Sequence, residues 1–182
     1  MTDVIRTVRN PKLILVACKN SERIAAIIAS VLDACSYSTG INECRCDTEF
    51  CIATAGSAAQ IPQNAIPDIV VFDGERELPE TDLSHFRKLV GTYEYAGAKK
   101  SAAACSVLTY SYENEDADVS CRNITENEQL TAFEIVDSGI LSRIRIDPRL
   151  YSVDEVLICM AVFTAMGVPI ASVSSFFNLT SV

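Results

Sequence analysis

One histidine, His85, is all this chain of 182 residues offers to the commonest general-base chemistry, and no apolar run in it reaches the roughly 18 residues that cross a bilayer. Basic side chains are also scarce. Fifteen lysines and arginines stand against 24 acids, a formal net charge of −9, so the clustered positive surface that nucleic-acid phosphates require is missing. The acids run through Asp73 to Asp82 and Glu113 to Glu128, where they read as solvated loops that keep the protein soluble. The start, Met1 to Arg9, has no long apolar core of the secretory kind. A soluble cytoplasmic protein is expected, with neither nucleic acid nor membrane as partner.

Cysteine is plentiful, yet the zinc spacings are absent. Cys44, Cys46 and Cys51 form Cys-x-Cys-x4-Cys, with no Cys-x2-Cys pair and no histidine nearby, so no metal site is expected. Cys18, Cys105, Cys121 and Cys159 lie in or beside apolar segments and read as small core residues. In a cytoplasmic chain all eight cysteines are expected as thiols. Cys18, beside Lys19 at a helix start, has surroundings that lower a thiol pKa, but no base accompanies it and no catalytic residue is assigned.

What is present reads as an α/β domain. Lys12 to Val16 is an apolar run of strand length, followed by a helix with Ile24, Ile27, Ile28, Val31 and Leu32 at spacings of three and four. Ile66 to Asp73 reads as a buried strand ending in an acid, and Asp82 to Val90 as the helix after it, with Asp82 as cap. Cys51 to Ala55 is a further short strand within the polar stretch from Ser36 to Asn64; Ala96 to Ala104 is a loop or short helix. Strands Val107–Tyr112, Asp118–Ile124, Thr131–Val136 and Ile140–Ile146 follow. Ser152, three residues before Glu155, has the capping-box spacing; Gly167 then stops that helix and Pro169 opens another. The expected architecture is a mostly parallel sheet flanked by helices, plus a small antiparallel sheet from Val107 to Ile146. The length suits one domain, residues 1–182.

Four stretches, Leu108-Thr-Tyr-Ser, Ala117-Asp-Val-Ser-Cys-Arg-Asn-Ile124, Thr131-Ala-Phe-Glu-Ile135 and Tyr151-Ser-Val-Asp-Glu155, occur in an order and spacing that resemble the central domain of the Mur ligases. These are ATP-dependent enzymes that add amino acids to the peptidoglycan precursor. The resemblance runs from about Ser106 to Asn178, and implies a shortened central domain without the family's flanking substrate and closing domains. It also places a phosphate loop between the first strand and helix, at Cys18, Lys19, Asn20, Ser21, Glu22 and Arg23. There the family's second glycine becomes Ser21, its lysine Glu22 and its threonine Arg23. The family's histidine-asparagine at the later helix start falls on Tyr151 and Ser152, and an asparagine three residues on falls on Glu155, which the capping box explains without a ligand. His85 only loosely echoes the family's Asp-His-Leu-Asp.

These departures bear on chemistry. A phosphate loop works through glycine backbone N–H groups, a lysine and a metal-binding hydroxyl, and Glu22 brings an anion toward the triphosphate instead. At an effective dielectric near 20, one unit charge about 4 Å away is worth about 4 kcal/mol. No ATP or other cofactor is therefore expected. The resemblance and these departures together imply a non-catalytic Mur-ligase-like binding or scaffolding protein linked to peptidoglycan precursor synthesis, with a protein or small anion as the expected partner. Its alternative is an ATP-dependent ligase subunit, or a ligase-like enzyme with an altered loop. A third reading takes Pro67-Asp-Ile-Val-Val-Phe-Asp73 as the phosphorylated strand of a receiver domain, against the lack of an acidic pair after the first strand.

Overall fold

A computed structural model describes residues 11–43, 47–54, 66–74, 86–99 and 105–179. Among the described residues nine strands form one sheet. They are β1 (Lys12–Ala17), β2 (Thr39–Ile41), β3 (Phe50–Thr54), β4 (Ile69–Phe72), β5 (Lys88–Thr92), β6 (Ser106–Ser111), β7 (Val119–Glu126), β8 (Thr131–Asp137) and β9 (Ile140–Ile146). Their order across the sheet is β2-β3-β1-β4-β5-β6-β7-β8-β9. Pairing is parallel from β2 through to β7 and antiparallel from β7 to β9.

Helices α1 (Ser21–Ala34), α3 (Val153–Met166) and α4 (Ile170–Leu179) share one face, while α2 (Tyr93–Lys99) lies on the other. Both faces are covered, so β1 and β4 are apolar almost without interruption, and alternate residues feed opposite cores. Ile14, Val16 and Val71 point toward the three helices; Leu13, Leu15, Val70 and Phe72 point toward the smaller core with Phe86, Leu89 and Ala96. A parallel order with β1 between β3 and β4, extended into an antiparallel ribbon, is not the five-stranded order 2-1-3-4-5 of a receiver.

Two expectations about elements are corrected. The segment read as a helix from Asp82 to Val90 contains strand β5 instead; Asp82 and His85 lie outside the described residues. Leu89 and Val90 are buried between β4 and β6, and so short an apolar run carries no decisive period. Strand β6, assigned from sequence to the antiparallel set, pairs parallel with both neighbours and joins the two parts of the sheet.

The cysteines bring a third correction, because Cys51 is disulfide-bonded. The expectation of eight thiols rests on a cytoplasmic compartment and not on the geometry around any one cysteine; Cys44 and Cys46 lie outside the described residues. Titration of the unreduced, denatured chain with a thiol reagent should find two thiols fewer than its eight cysteines. Eight reactive thiols would show that the bond does not form.

The ends of the C-terminal elements are fixed by local chemistry. Ser138 and Gly139, at φ 50° and 82°, make the two-residue turn from β8 to β9. Gly167, at φ 76°, ends α3 in the left-handed conformation, and Val168 N donates to Phe163 O at 2.9 Å. Lys88 Nζ donates to the Ala165 carbonyl in the last turn of α3. On the outer strand β9, the Asn178 side chain of α4 accepts from Arg145 N at 2.8 Å and donates to Arg143 O at 3.3 Å, completing backbone groups at that edge.

The turn from β9 to α3 is tied by Asp147, whose carboxylate accepts from Arg149 N and Nε, each at 2.9 Å. These bonds hold the Asp147 carboxyl down to about 2 from its usual 3.8. Its depressed folded pKa gives a stabilisation that is complete above the unfolded value and is lost as pH falls toward 2. NMR titration of the side-chain carboxyl should therefore find Asp147 still ionised at pH 3; an ordinary midpoint near 4 would mean that the turn is open in solution.

Candidate functional site

The chain leaves β1 into α1 and places β3 on one side of β1, then β4 on the other. The carboxyl ends of β1 and β4 thus form the topological switch point at which open α/β sheets bind ligands. The turn Cys18–Asn20 sits there. Ser21 N donates to Cys18 O at 3.2 Å and Ile24 N to Asn20 O at 2.9 Å, which starts α1. Asn20 holds the N-cap position without a capping hydrogen bond from its side chain. The backbone N–H of Lys19 donates to Asp73 Oδ2 at 2.6 Å, so the carboxylate that follows β4 takes an amide of this turn.

One turn along α1, Arg23 reaches across to α3. Its Nε donates to Glu155 Oε1 and its Nη2 to the Leu150 carbonyl, with a further contact from Nη2 to Glu155 Oε2 at 3.3 Å. Glu155 Oε2 also accepts from Ser152 N at 2.9 Å, and Glu155 N donates to Ser152 Oγ at 3.2 Å, completing the expected capping box. The Glu155 side chain is 9% exposed and that of Arg23 52%. Hydrogen bonding to Glu155, and then its charge, raise the Arg23 pKa further above its ordinary value.

Of the six residues singled out from the sequence, Lys19 and Arg23 meet partners that the sequence does not announce, Asp73 and Glu155. Cys18 and Ser21 are buried, while Lys19, Asn20, Glu22 and Arg23 line the exposed side of the turn. Asp73, read as an ordinary acid at a strand end, is part of the same constellation. Glu155, read only as a cap, also ties α3 to α1. The resemblance sets Arg23 against a threonine and Glu155 against an asparagine, two departures of opposite charge, although 132 residues separate them.

Behind the turn lie two tyrosines from the end of β6. Tyr110 is buried in the core, and its hydroxyl has no hydrogen-bond partner among the described residues. Burial, then the charges of Asp154 and Asp73, raise its pKa well above the usual value and keep the phenol protonated. Tyr112 is raised too, by burial and then by the nearby charge of Asp154. Among the described residues no group of three or more His, Cys, Asp or Glu side chains could hold a metal ion. No helix among them is long and apolar enough to cross a membrane.

No family model and no curated protein matches the sequence. Solved structures do match. The MurF ligase of Acinetobacter baumannii superposes with a TM-score of 0.71 at 12% identity, over 92% of this chain and 46% of its own. The MurF ligase of Thermotoga maritima, solved in complex with ADP, gives 0.65 at 14% identity, over 91% of this chain and 48% of its own. Folylpolyglutamate synthetase from Lactobacillus casei gives 0.61 at 11% identity, over 93% and 62%. The fold is that of the Mur ligases. At these identities the likeness is one of fold, and the chain spans about half the length of the Mur ligases it matches. The Mur-ligase-like sheet order, with its parallel strands and terminal antiparallel ribbon, agrees with the architecture expected from the sequence.

Proposed function

We propose that this chain is a non-catalytic binding or scaffolding protein built on the Mur ligase central fold, with its phosphate site closed by its own side chains. The observation that carries this reading is the Arg23–Glu155 ion pair. It joins two of the positions at which the sequence departs from the family pattern, and leaves neither a hydroxyl for a metal nor an amide for a nucleotide there. Asp73 on the Lys19 amide acts in the same direction, because a triphosphate would meet a carboxylate where it needs a donor, with Glu22 exposed beside it. A soluble, cytoplasmic place and a connection with peptidoglycan precursor synthesis belong to this proposal, the latter resting on the fold alone.

The test is nucleotide binding by the folded chain. A bound ligand at 100 times its dissociation constant stabilises a fold by about 2.7 kcal/mol, well within reach of thermal shift or calorimetry. Millimolar Mg-ATP should produce no stabilisation. Saturable binding with micromolar affinity would overturn the non-catalytic reading and favour the alternative, a ligase subunit or ligase-like enzyme with an altered loop at Cys18 to Arg23. In that event Glu22→Lys should tighten the binding. The retained strand, turn and helix at the switch point is the observation in favour of that alternative.

A further inference from the structure

A cleft of about 390 Å³ opens beside the N-terminus of α3, between the ribbon β7–β8 and the turn that follows β9. Its walls carry the phenol rings of Tyr112 and Tyr151, its apolar surface Ile124 and Pro148, and its charges are Glu126 and Asp154. Among the described residues no lysine or arginine lines it. The volume is near the lower end for small-ligand pockets, about 300–1,000 Å³, and so suits a single side chain better than a nucleotide.

A helix N-terminus ordinarily favours anions, but this one is already answered. Ser152 N and Glu155 N are bonded within the capping box, and Asp154 and Glu155 in the first turn offset the roughly half positive charge of the helix end. Asp154 and Tyr112 line the cleft together, close enough for the charge of Asp154 to raise the Tyr112 pKa. Next to that pair lies the buried Tyr110 hydroxyl, still without a hydrogen-bond partner among the described residues. Carboxylates and phenol faces with no basic group describe a receptor for a planar organic cation, which stacks on the rings and bonds to the acids.

We propose that this cleft receives an arginine side chain from a protein partner. The inference rests on the reading of the chain as a binding protein, and supplies the class of partner that reading leaves open. Charge complementarity supports a basic segment, since the whole chain carries a net charge of −9. Glu126 and Asp154 hold the guanidinium; Tyr112 and Tyr151 flank it. The small anion also considered from the sequence would meet only like charge here.

The experiment is a titration of the folded chain, followed by amide NMR, with N-acetyl-argininamide, which mimics an arginine within a polypeptide. Saturable shifts are expected at Asn127, Ser152 and Asp154, weakening as salt is raised. The neutral isostere N-acetyl-citrullinamide should give none. Glu126→Gln and Asp154→Asn should each weaken binding about three-fold, the scale of an exposed ion pair. Equal shifts with the citrulline compound, or no shifts with the blocked form at about 50 mM, roughly a 2 kcal/mol interaction, would each overturn the proposal. A Mg-ATP titration of the same sample keeps the two readings apart, because nucleotide binding would remove the non-catalytic function and leave the arginine result standing or falling by itself.

Discussion

Phe163→Ala should lower the free energy of unfolding by about 3–5 kcal/mol, the cost of removing a buried aromatic ring and leaving a cavity. Phe163 is 1% exposed, in a helix of which 11 of 14 residues are buried. Helix α3 packs on strands of both the parallel and the antiparallel part of the sheet and also touches α1 and α4. It thus has almost no solvent side toward which its neighbours could relax. Urea denaturation would measure the loss as a lower midpoint at an unchanged slope. A loss below about 1 kcal/mol, small even for one methyl-sized deletion, would show that α3 is not the centre of this core.

Glu155→Ala should be the next most damaging change, at about 2 kcal/mol, the scale of a charged hydrogen bond. Ser152→Ala removes only the cap and should cost about 0.5–2 kcal/mol, usually near 1. Arg23→Ala is harder to place by itself, because the guanidinium is half exposed while the carboxylate it leaves is not. The informative quantity is the coupling. In a double-mutant cycle Arg23 and Glu155 should interact by about 0.5 kcal/mol or more, and Ser152 with Glu155 likewise. If the two Arg23 and Glu155 losses simply add, the ion pair is a surface contact, and the closure of the phosphate site by these residues loses its support.

Much of the fold was legible because it is written in local chemistry. The Ser152 and Glu155 spacing, the Gly167 stop and the isoleucines of α1 each require only neighbours in sequence. The Lys12 and Ile69 strands were legible from unbroken apolar runs that only a sheet covered on both faces can bury. Strand β5 was not, since Leu89 and Val90 become a strand only through partners on either side. The site was less legible still. Position by position, Arg23 and Glu155 were two defects in a nucleotide site, and only the packing of α1 against α3 makes them one interaction. Asp73 gained its role in the same way, from a turn 54 residues earlier. The parallel pairing of β6 depends on two neighbouring strands that no short window contains.

The Arg23–Glu155 pair also has a direction in time. For any chain passing between an uncharged pair at these positions and the present one, the two intermediates are unequal. Arginine alone, with half its side chain in water, remains hydrated; glutamate alone keeps its bond from Ser152 N but is a mostly buried carboxylate without its cation. The arginine can therefore arrive first and the glutamate second, and a return must begin by giving up the glutamate. A history built of single substitutions is channelled through one order, and each later residue that packs against the closed pair makes the way back narrower.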